Sequence, residues 1–188
     1  MLGLDRMAAL FDRLVLLAMF LILAAILTAA LVMQYAFGEL PCPLCLLQRY
    51  AMFGCCFGLA QQLRFDGSER GSGLSLLFAV VLLVIAVRQT LLDLFPRPGH
   101  EYVGSAILGI HMPVWGALIA VALILGFALR FAIFGGMRAV SVPAVASLRR
   151  LTQALFIYVA LLCAVNFISA IVQCGLGECH TMGYSLLK

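Results

Sequence analysis

The sequence predicts an all-α integral membrane protein, with a four-helix transmembrane bundle plus a fifth transmembrane helix. Of the 188 residues, 65% are hydrophobic and 11% are charged, whereas a water-soluble domain is near half apolar and about a quarter charged. Five apolar stretches are also long enough to cross a bilayer, which takes about 20 residues per helix. Their predicted bounds are 14–36, 44–63, 73–95, 112–134 and 152–173.

The segments between these stretches are too short to fold separately, which predicts a single membrane domain over residues 1–188. Residues 64–72 and 135–150 are predicted to be polar turns, and residues 96–111 a Pro/Gly-rich loop whose later half lies on the membrane interface. The first stretch is interpreted as a helix, because it exceeds the roughly 7–15 apolar residues of a signal peptide. No Lys/Arg-rich block interleaved with aromatic residues is present, so no nucleic-acid partner is expected.

The positive charges predict the orientation of the helices, because Lys and Arg are enriched in cytoplasmic loops. Most arginines fall on one side of the five spans, namely Arg6, Arg13, Arg64, Arg70, Arg130, Arg138, Arg149 and Arg150. Arg97 and Lys188 fall on the other side, and Arg49 and Arg88 lie within spans. This distribution predicts a cytoplasmic N-terminus and an external tail at 174–188, in the compartment where disulfides persist.

Cys42 and Cys45 form a Cys-Pro-Leu-Cys element at the start of the second stretch. Pro43 suits the first turn of a helix and favours an extended conformation at Cys42. Cys45 would then lie in the first helical turn, where the positive end of the helix dipole lowers the pKa of a thiol. The spacing therefore predicts a redox-active disulfide. A structural disulfide or half of a zinc site are the alternatives.

Arg49 lies four residues after Cys45, on the same predicted helical face and one turn deeper. A charge inside a membrane span normally has a partner or a function. Arg49 is therefore expected to stabilise the Cys45 thiolate and to bind an oxygen of a membrane-dissolved acceptor. Snorkelling toward the headgroups is the alternative. Gln48 is a second candidate contact.

Arg88 and Gln89, near the end of the third stretch, are further candidates for the cavity that contains Arg49. Pairing with Asp93 or Glu101 is the alternative for either side chain. Asn166, within the fifth stretch, is expected to hydrogen-bond across helices rather than take part in chemistry.

Cys174 and Cys179 form a second pair directly after the fifth stretch, in the segment QCGLGEC. The two glycines allow a turn that brings the cysteine Cα atoms within disulfide distance. A second exchangeable disulfide is the favoured interpretation, and a static link that holds the tail is the alternative. A zinc site built from both pairs is a weaker alternative, because a membrane bundle does not need a metal to stabilise its core. No metal is therefore predicted.

Cys55, Cys56 and Cys163 lie inside apolar stretches. Unpaired cysteine behaves there as a small hydrophobic residue. All three are therefore predicted to serve packing rather than redox chemistry.

Three segments resemble the disulfide bond formation protein B family, DsbB. ELPCPLCLLQRY (39–50) is similar to the family's second-helix motif, RQTLLDLFP (88–96) to the end of its third helix, and LGIHMPVW (108–115) to the start of its fourth. The resemblance covers about the first two thirds of the chain. It implies a bacterial inner-membrane enzyme that reoxidises a periplasmic thioredoxin-fold dithiol oxidase (DsbA-like) and passes electrons to the membrane quinone pool, either ubiquinone or menaquinone.

In this resemblance, Cys42 and Cys45 would pass electrons to quinone, and Arg49 would lie beside the quinone. The family carries a second cysteine pair in the loop between helices three and four, but residues 96–111 contain no cysteine. Our hypothesis is that Cys174 and Cys179 replace that pair on the same side of the membrane.

Two other functions remain open from the residues alone. A reductase that carries electrons outward would need cysteines able to meet a cytoplasmic donor, and the predicted cytoplasmic loops have none. A membrane transporter or assembly subunit with purely structural cysteines would retain its function without both pairs. Transporters often show internal repeats with Gly/Pro-broken helices, which this sequence does not show.

Overall fold

The computed structural model describes residues 2–65, 69–95, 106–134 and 146–175. Its helices are α1 (Leu2–Ala36), α2 (Pro43–Arg64), α3 (Arg70–Leu94), α4 (Met112–Phe134) and α5 (Ala146–Cys174). Each of the five is long and apolar enough to cross a membrane. This confirms the predicted fold class of an all-α multi-pass membrane protein. The organisation into one domain stays a prediction, and the predicted tail falls mostly outside the described residues.

Helix α2 is the most buried of the five, and it contacts α1, α3 and α5. Its closest neighbour is α3, because small residues on both helices let the backbones approach. A Cβ atom added to Gly58 would lie 2.6 Å from the Gly71 carbonyl oxygen. Two hydrogen bonds join the same helices, since the Ser75 hydroxyl donates to the Cys55 carbonyl and the Cys55 thiol donates to the Ser75 carbonyl. Helix α4 packs mainly on α3, and α5 packs on α1 and α2.

A short β-hairpin precedes α4, and its antiparallel strands β1 (Ala106–Ile107) and β2 (Ile110–His111) have two residues each. Leu108 and Gly109 form its turn with φ angles of 53° and 76°, the left-handed geometry that tight hairpins require. Glycine adopts this geometry readily, whereas leucine does so at a cost. The predicted interfacial segment therefore contains a hairpin that the apolar pattern did not reveal.

The bundle has a continuous apolar interior and an apolar exterior. Its largest buried side chains are Leu16, Phe20, Leu23, Leu27, Leu59, Leu82 and Phe127. Large hydrophobic side chains are also exposed on every helix, for example Ile22, Phe57, Val84, Leu125 and Leu161. An apolar surface on all helices is what contact with lipid requires. The polar interior residues are concentrated at two ends, which we call the cysteine end, where α2 begins, and the opposite end.

Arg130 on α4 forms an ionic cluster at the opposite end. Its guanidinium binds both carboxylate oxygens of Asp12 at 2.7 and 3.0 Å and both of Glu69 at 2.6 and 3.1 Å. The Ser72 hydroxyl accepts a further bond at 3.0 Å. Bidentate arginine–carboxylate pairs are the strong class of charged hydrogen bond. The cluster therefore joins α1, the start of α3 and α4, and the hydrogen bonds from Arg130 lower the pKa of Glu69.

Candidate functional site

The Cys42–Cys45 pair lies at the first turn of α2. Cys42 is the N-cap residue with an extended backbone (φ −68°, ψ 162°), as Pro43 predicts. Its sulfur accepts a hydrogen bond from the Cys45 backbone N–H at 3.1 Å, and its carbonyl accepts one from Leu46. The two cysteines form a disulfide with a Cα–Cα distance of 5.0 Å. Both side chains are partly exposed, so the disulfide is accessible at the end of a helix whose dipole favours a thiolate.

Gln89 of α3 contacts both sulfurs of this disulfide. Its Nε2 lies 3.2 Å from Cys42 Sγ and 3.4 Å from Cys45 Sγ. The Gln89 carbonyl oxygen accepts a hydrogen bond from Gln48 Nε2 at 2.8 Å, which fixes the orientation of the amide. Gly116 of α4 leaves the space for Gln48, because a Cβ atom there would lie 2.5 Å from Gln48 Oε1. Two buried amides therefore aim a donor at the sulfurs, where it can stabilise the charge of a thiolate.

Arg49 lies one turn deeper than Cys45, in a second polar group. Its Nη1 donates to Gln34 Oε1 at 2.6 Å and to Asn166 Oδ1 at 3.3 Å, and its Nη2 donates to the Ala30 carbonyl at 3.0 Å. Gln34 in turn donates to Ser169 on α5. These hydrogen bonds are all accepted by neutral oxygens, and they fix the position of the guanidinium. The arrangement differs from simple snorkelling, since the side chain is bound by α1 and α5.

The C-terminal end of α5 meets the segment that leads into Cys42. Gln173, which is fully buried, donates from Nε2 to the Pro41 carbonyl at 2.8 Å. The next residue, Cys174, is half-buried and is itself part of a disulfide. The predicted partner, Cys179, lies outside the described residues. The hydrogen bond between Gln173 and Pro41 thus joins the residues directly before Cys174 and Cys42.

The remaining predicted site residues lie elsewhere. Arg88 is exposed on α3 and lines a surface groove with Val84, Val87, Leu91 and Phe95. Its neighbour Gln89 points into the bundle and is buried. Of the two candidates on α3, Gln89 is thus the residue that reaches the disulfide.

The cysteines inside the spans are separate from this site. Cys55, Cys56 and Cys163 are free, and the first two are fully buried. Within the described ranges, no three His, Cys, Asp or Glu side chains come together as metal ligands. Because Cys42 and Cys45 are bonded to each other, neither offers a thiolate to a metal in this state.

Gln34, Ser169 and Gln173 are polar residues of the site that were not singled out from the sequence. Gln34, Ser169 and Gln173 are buried, and Asn166 is 0% exposed. Asn166 does bond across helices, as expected. A usable signal was present in α5, because residues 166, 169 and 173 recur at the spacing of one helical face.

Comparison with known proteins agrees with this site. A family model described as Disulfide bond formation protein DsbB matches residues 12–130. The disulfide bond formation protein B of Azoarcus sp. (strain BH72) is 34% identical over 98 residues, which cover 46% of this chain and 58% of that protein. The chain therefore matches little more than half the length of this relative. No solved structure matches.

The family match includes the disulfide, Gln89 and Arg49, and it ends before α5 begins. It covers well over half of the chain. The chain therefore belongs to the DsbB family of disulfide bond formation proteins.

Proposed function

We propose that this protein is a quinone-coupled thiol–disulfide oxidoreductase that reoxidises a DsbA-like dithiol oxidase of the periplasm. The observation that carries the proposal is the Cys42–Cys45 disulfide at a helix start, with an amide donor on both sulfurs and Arg49 one turn deeper. In this membrane protein, such a site suits thiol–disulfide exchange at the bilayer surface. The charge distribution supports a bacterial inner-membrane location with a cytoplasmic N-terminus and both cysteine pairs periplasmic.

The residues near Arg49 fit a quinone, whether ubiquinone or menaquinone. A quinone carries two carbonyl oxygens that accept hydrogen bonds, and it dissolves in the bilayer. The Arg49 guanidinium is a positively charged donor held inside the membrane-spanning bundle. Gln48 would act on the disulfide indirectly, because its side chain binds and orients Gln89. Arg88 would contribute only from the lateral groove of α3, where it could meet the tail or headgroup of a membrane molecule.

The electron path has two exchange steps in this proposal. A thiolate of the reduced partner attacks the Cys174–Cys179 disulfide, and the partner's second thiol resolves the mixed disulfide, so the partner is oxidised and the tail pair becomes a dithiol. The tail dithiol then reduces Cys42–Cys45 in the same way. The bond between Gln173 and the Pro41 carbonyl supports this relay, because it brings α5 next to the residue before Cys42.

The Cys42–Cys45 dithiol re-forms its disulfide when it loses two electrons and two protons. A bound quinone would accept both and leave as the quinol. Gln89 and the α2 N-terminus would stabilise the thiolate that forms during this step. Arg49 would favour the negative charge that develops on its ligand. The driving force must come from the quinone, since a DsbA-like partner is already strongly oxidising, at about −120 mV.

An anaerobic titration tests this function. The purified protein is reduced with a dithiol, freed of reductant and mixed with a soluble quinone, while quinone absorbance and free thiols are followed. We expect quinone loss matched by about two thiols per quinone, because the couple transfers two electrons. Cys45→Ser should abolish the reaction, whereas Cys163→Ala, which removes a free thiol within α5, should not.

The relay is tested separately with a reduced thioredoxin-fold dithiol protein as donor. Cys174→Ser should block electron flow from that protein but leave oxidation of the Cys42–Cys45 dithiol by quinone intact. If quinone is untouched in both experiments, the oxidoreductase proposal fails and purely structural cysteines, as in a transporter or assembly subunit, take its place.

A further inference from the structure

Asn166 on α5 is a buried residue that contacts Arg49 and has one amide donor without a hydrogen-bond partner. The residue is 0% exposed. Its Oδ1 accepts a bond from Arg49 Nη1 at 3.3 Å, while its Nδ2 has no hydrogen-bond partner. The Tyr50 hydroxyl is close enough to interact with the same amide, but the contact does not meet the distance and angle of a hydrogen bond from Nδ2. Buried amide donors in proteins almost always have a partner, so this one requires an explanation.

The contact with Arg49 fixes which way the amide points. A guanidinium carries donors only, so the amide oxygen must face it. Rotating the amide would place its NH₂ group against a positively charged donor. The NH₂ group therefore points away from Arg49, and the free Nδ2 is a consequence of the arrangement.

The three helices around Arg49 hold this amide in place. Gln34 on α1 binds Arg49 and also donates to Ser169, one turn from Asn166 on α5. Asn166, Ser169 and Gln173 form one buried face of α5, and Gln173 is anchored to the Pro41 carbonyl. The amide of Asn166 is therefore presented by a helix that is attached at two points to the region before and within α2.

We infer that Asn166 donates a hydrogen bond from Nδ2 to a carbonyl oxygen of the quinone, so that α5 forms one wall of the quinone site. A quinone is the fitting ligand class because it brings carbonyl acceptors and no competing donor. Nδ2 and the Arg49 guanidinium are two kinds of donor on neighbouring side chains. This inference rests on the proposed function and deepens it, since α5 lies outside the residues that match the family model.

The inference assigns α5 a role in cofactor binding in addition to its second cysteine pair. Cys174 follows the same buried face of α5. Helix α5 would therefore connect the Cys174–Cys179 disulfide, which accepts electrons from the partner, to the site where quinone accepts them. Loss of the Asn166 amide should weaken quinone binding without touching either disulfide.

A binding titration on the full-length oxidised protein tests the inference without turnover. The chain contains one tryptophan, Trp115, near the start of α4, and quinones quench tryptophan fluorescence. The probe is a short-chain ubiquinone. Asn166→Leu removes the donor with a side chain of comparable size, and Asn166→Ala removes it with a smaller one, neither adding a charge beside Arg49. We expect the dissociation constant to rise about tenfold or more in both, the effect of one lost buried hydrogen bond.

Thr152→Val is the matched control. Thr152 is a buried polar residue on α5, nearer the opposite end, and its hydroxyl bonds only the Leu148 carbonyl among the described groups. It should bind quinone as the unaltered protein does. If Asn166→Leu fails to fold, Asn166→Ala decides the question, because it removes the amide without adding a charge beside Arg49.

The possible outcomes separate this inference from the function on which it rests. Saturable binding by the unaltered protein, loss on Arg49→Met and unchanged binding in the folded Asn166 variants would overturn the inference and leave the function standing. Absence of saturable binding by the unaltered protein would overturn both. The infrared carbonyl band of bound quinone gives a second readout, since a band shift that disappears in Asn166→Leu or Asn166→Ala supports the hydrogen bond directly.

Discussion

Two arginines lie inside the helical bundle, and their partners differ. Arg130, at the opposite end, is bound by the carboxylates of Asp12 and Glu69. Arg49, at the cysteine end, donates to two side-chain amides and a backbone carbonyl. The first cluster contains two carboxylates, whereas the hydrogen bonds described for Arg49 are all accepted by neutral oxygens. Neutral acceptors orient a guanidinium, and an oriented positively charged donor suits a site that must favour an electron-rich ligand.

The comparison predicts that Arg130 chiefly stabilises the fold. Replacing Arg130 by Met should lower the free energy of unfolding by about 3–5 kcal/mol, the cost of breaking a buried ion pair. The unpaired Asp12 carboxylate would account for most of this loss, because its side chain is 16% exposed while that of Glu69 is 55% exposed. Thermal unfolding in detergent measures the loss. Adding Asp12→Asn to the variant should restore part of the stability, and an unchanged unfolding temperature in Arg130→Met would contradict the assignment.

Arg49 is predicted to affect the reaction more than the fold. Arg49→Met should slow quinone reduction by about 100-fold, equivalent to about 2.7 kcal/mol of transition-state stabilisation. Reduction of the Cys42–Cys45 disulfide by a small dithiol should stay near its normal rate. Stopped-flow absorbance separates the two steps. The comparison between the arginines breaks down if Arg49→Met unfolds as readily as Arg130→Met while its folded fraction reduces quinone normally.

Gln89 is predicted to have an intermediate effect, because it reaches the sulfurs but carries no charge. Gln89→Leu removes the donor on Cys42 and Cys45. The reduced form should lose about 1.5 kcal/mol of stabilisation, the lower value for a hydrogen bond to a charged group. That loss lowers the reduction potential by about 30 mV. Equilibration with glutathione buffers measures the shift, and Gln153→Leu, an exposed amide of α5, is the control. An unchanged potential would remove Gln89 from the site.

The smallest expected effect is a pH dependence at the opposite end. Hydrogen bonds from Arg130 hold the pKa of Glu69 below its usual value of 4.5. A carboxyl with a lowered pKa stabilises the fold above its unfolded pKa, and this contribution is lost as the pH falls through the folded value. The unfolding temperature should therefore decline below about pH 4.5. Glu69→Gln should reduce that decline, whereas quinone binding near Arg49 should not follow Glu69. A decline of equal size in Glu69→Gln would assign it to other carboxyls.

The cysteine end could be predicted from the sequence only where the relevant residues are close together in the chain. Pro43 between two cysteines predicted the helix start and the extended Cys42, because both effects act within one turn. Gln48 was proposed as a ligand contact from its spacing to Cys45 on one helix, and Arg88 from its position near the end of the third span; both stay predictions. In the structure, Gln48 donates to Gln89 and Arg88 is exposed on α3. Whether a helical side chain points into the bundle or toward the lipid depends on which face of its helix packs against other helices. A single sequence does not reveal that packing.

The amino-acid sequence by itself determined five membrane-spanning helices, the Cys-Pro-Leu-Cys helix start and the family resemblance. Hydrophobic length and local backbone chemistry act over neighbouring residues, so they can be recognised without a fold. Only the tertiary structure decided that Gln89 touches the disulfide, that α5 brings Asn166 to Arg49, and that Arg130 binds two carboxylates. These contacts join residues 44 to 118 positions apart, and buried polar groups find such partners only when the packing of the helices brings them together.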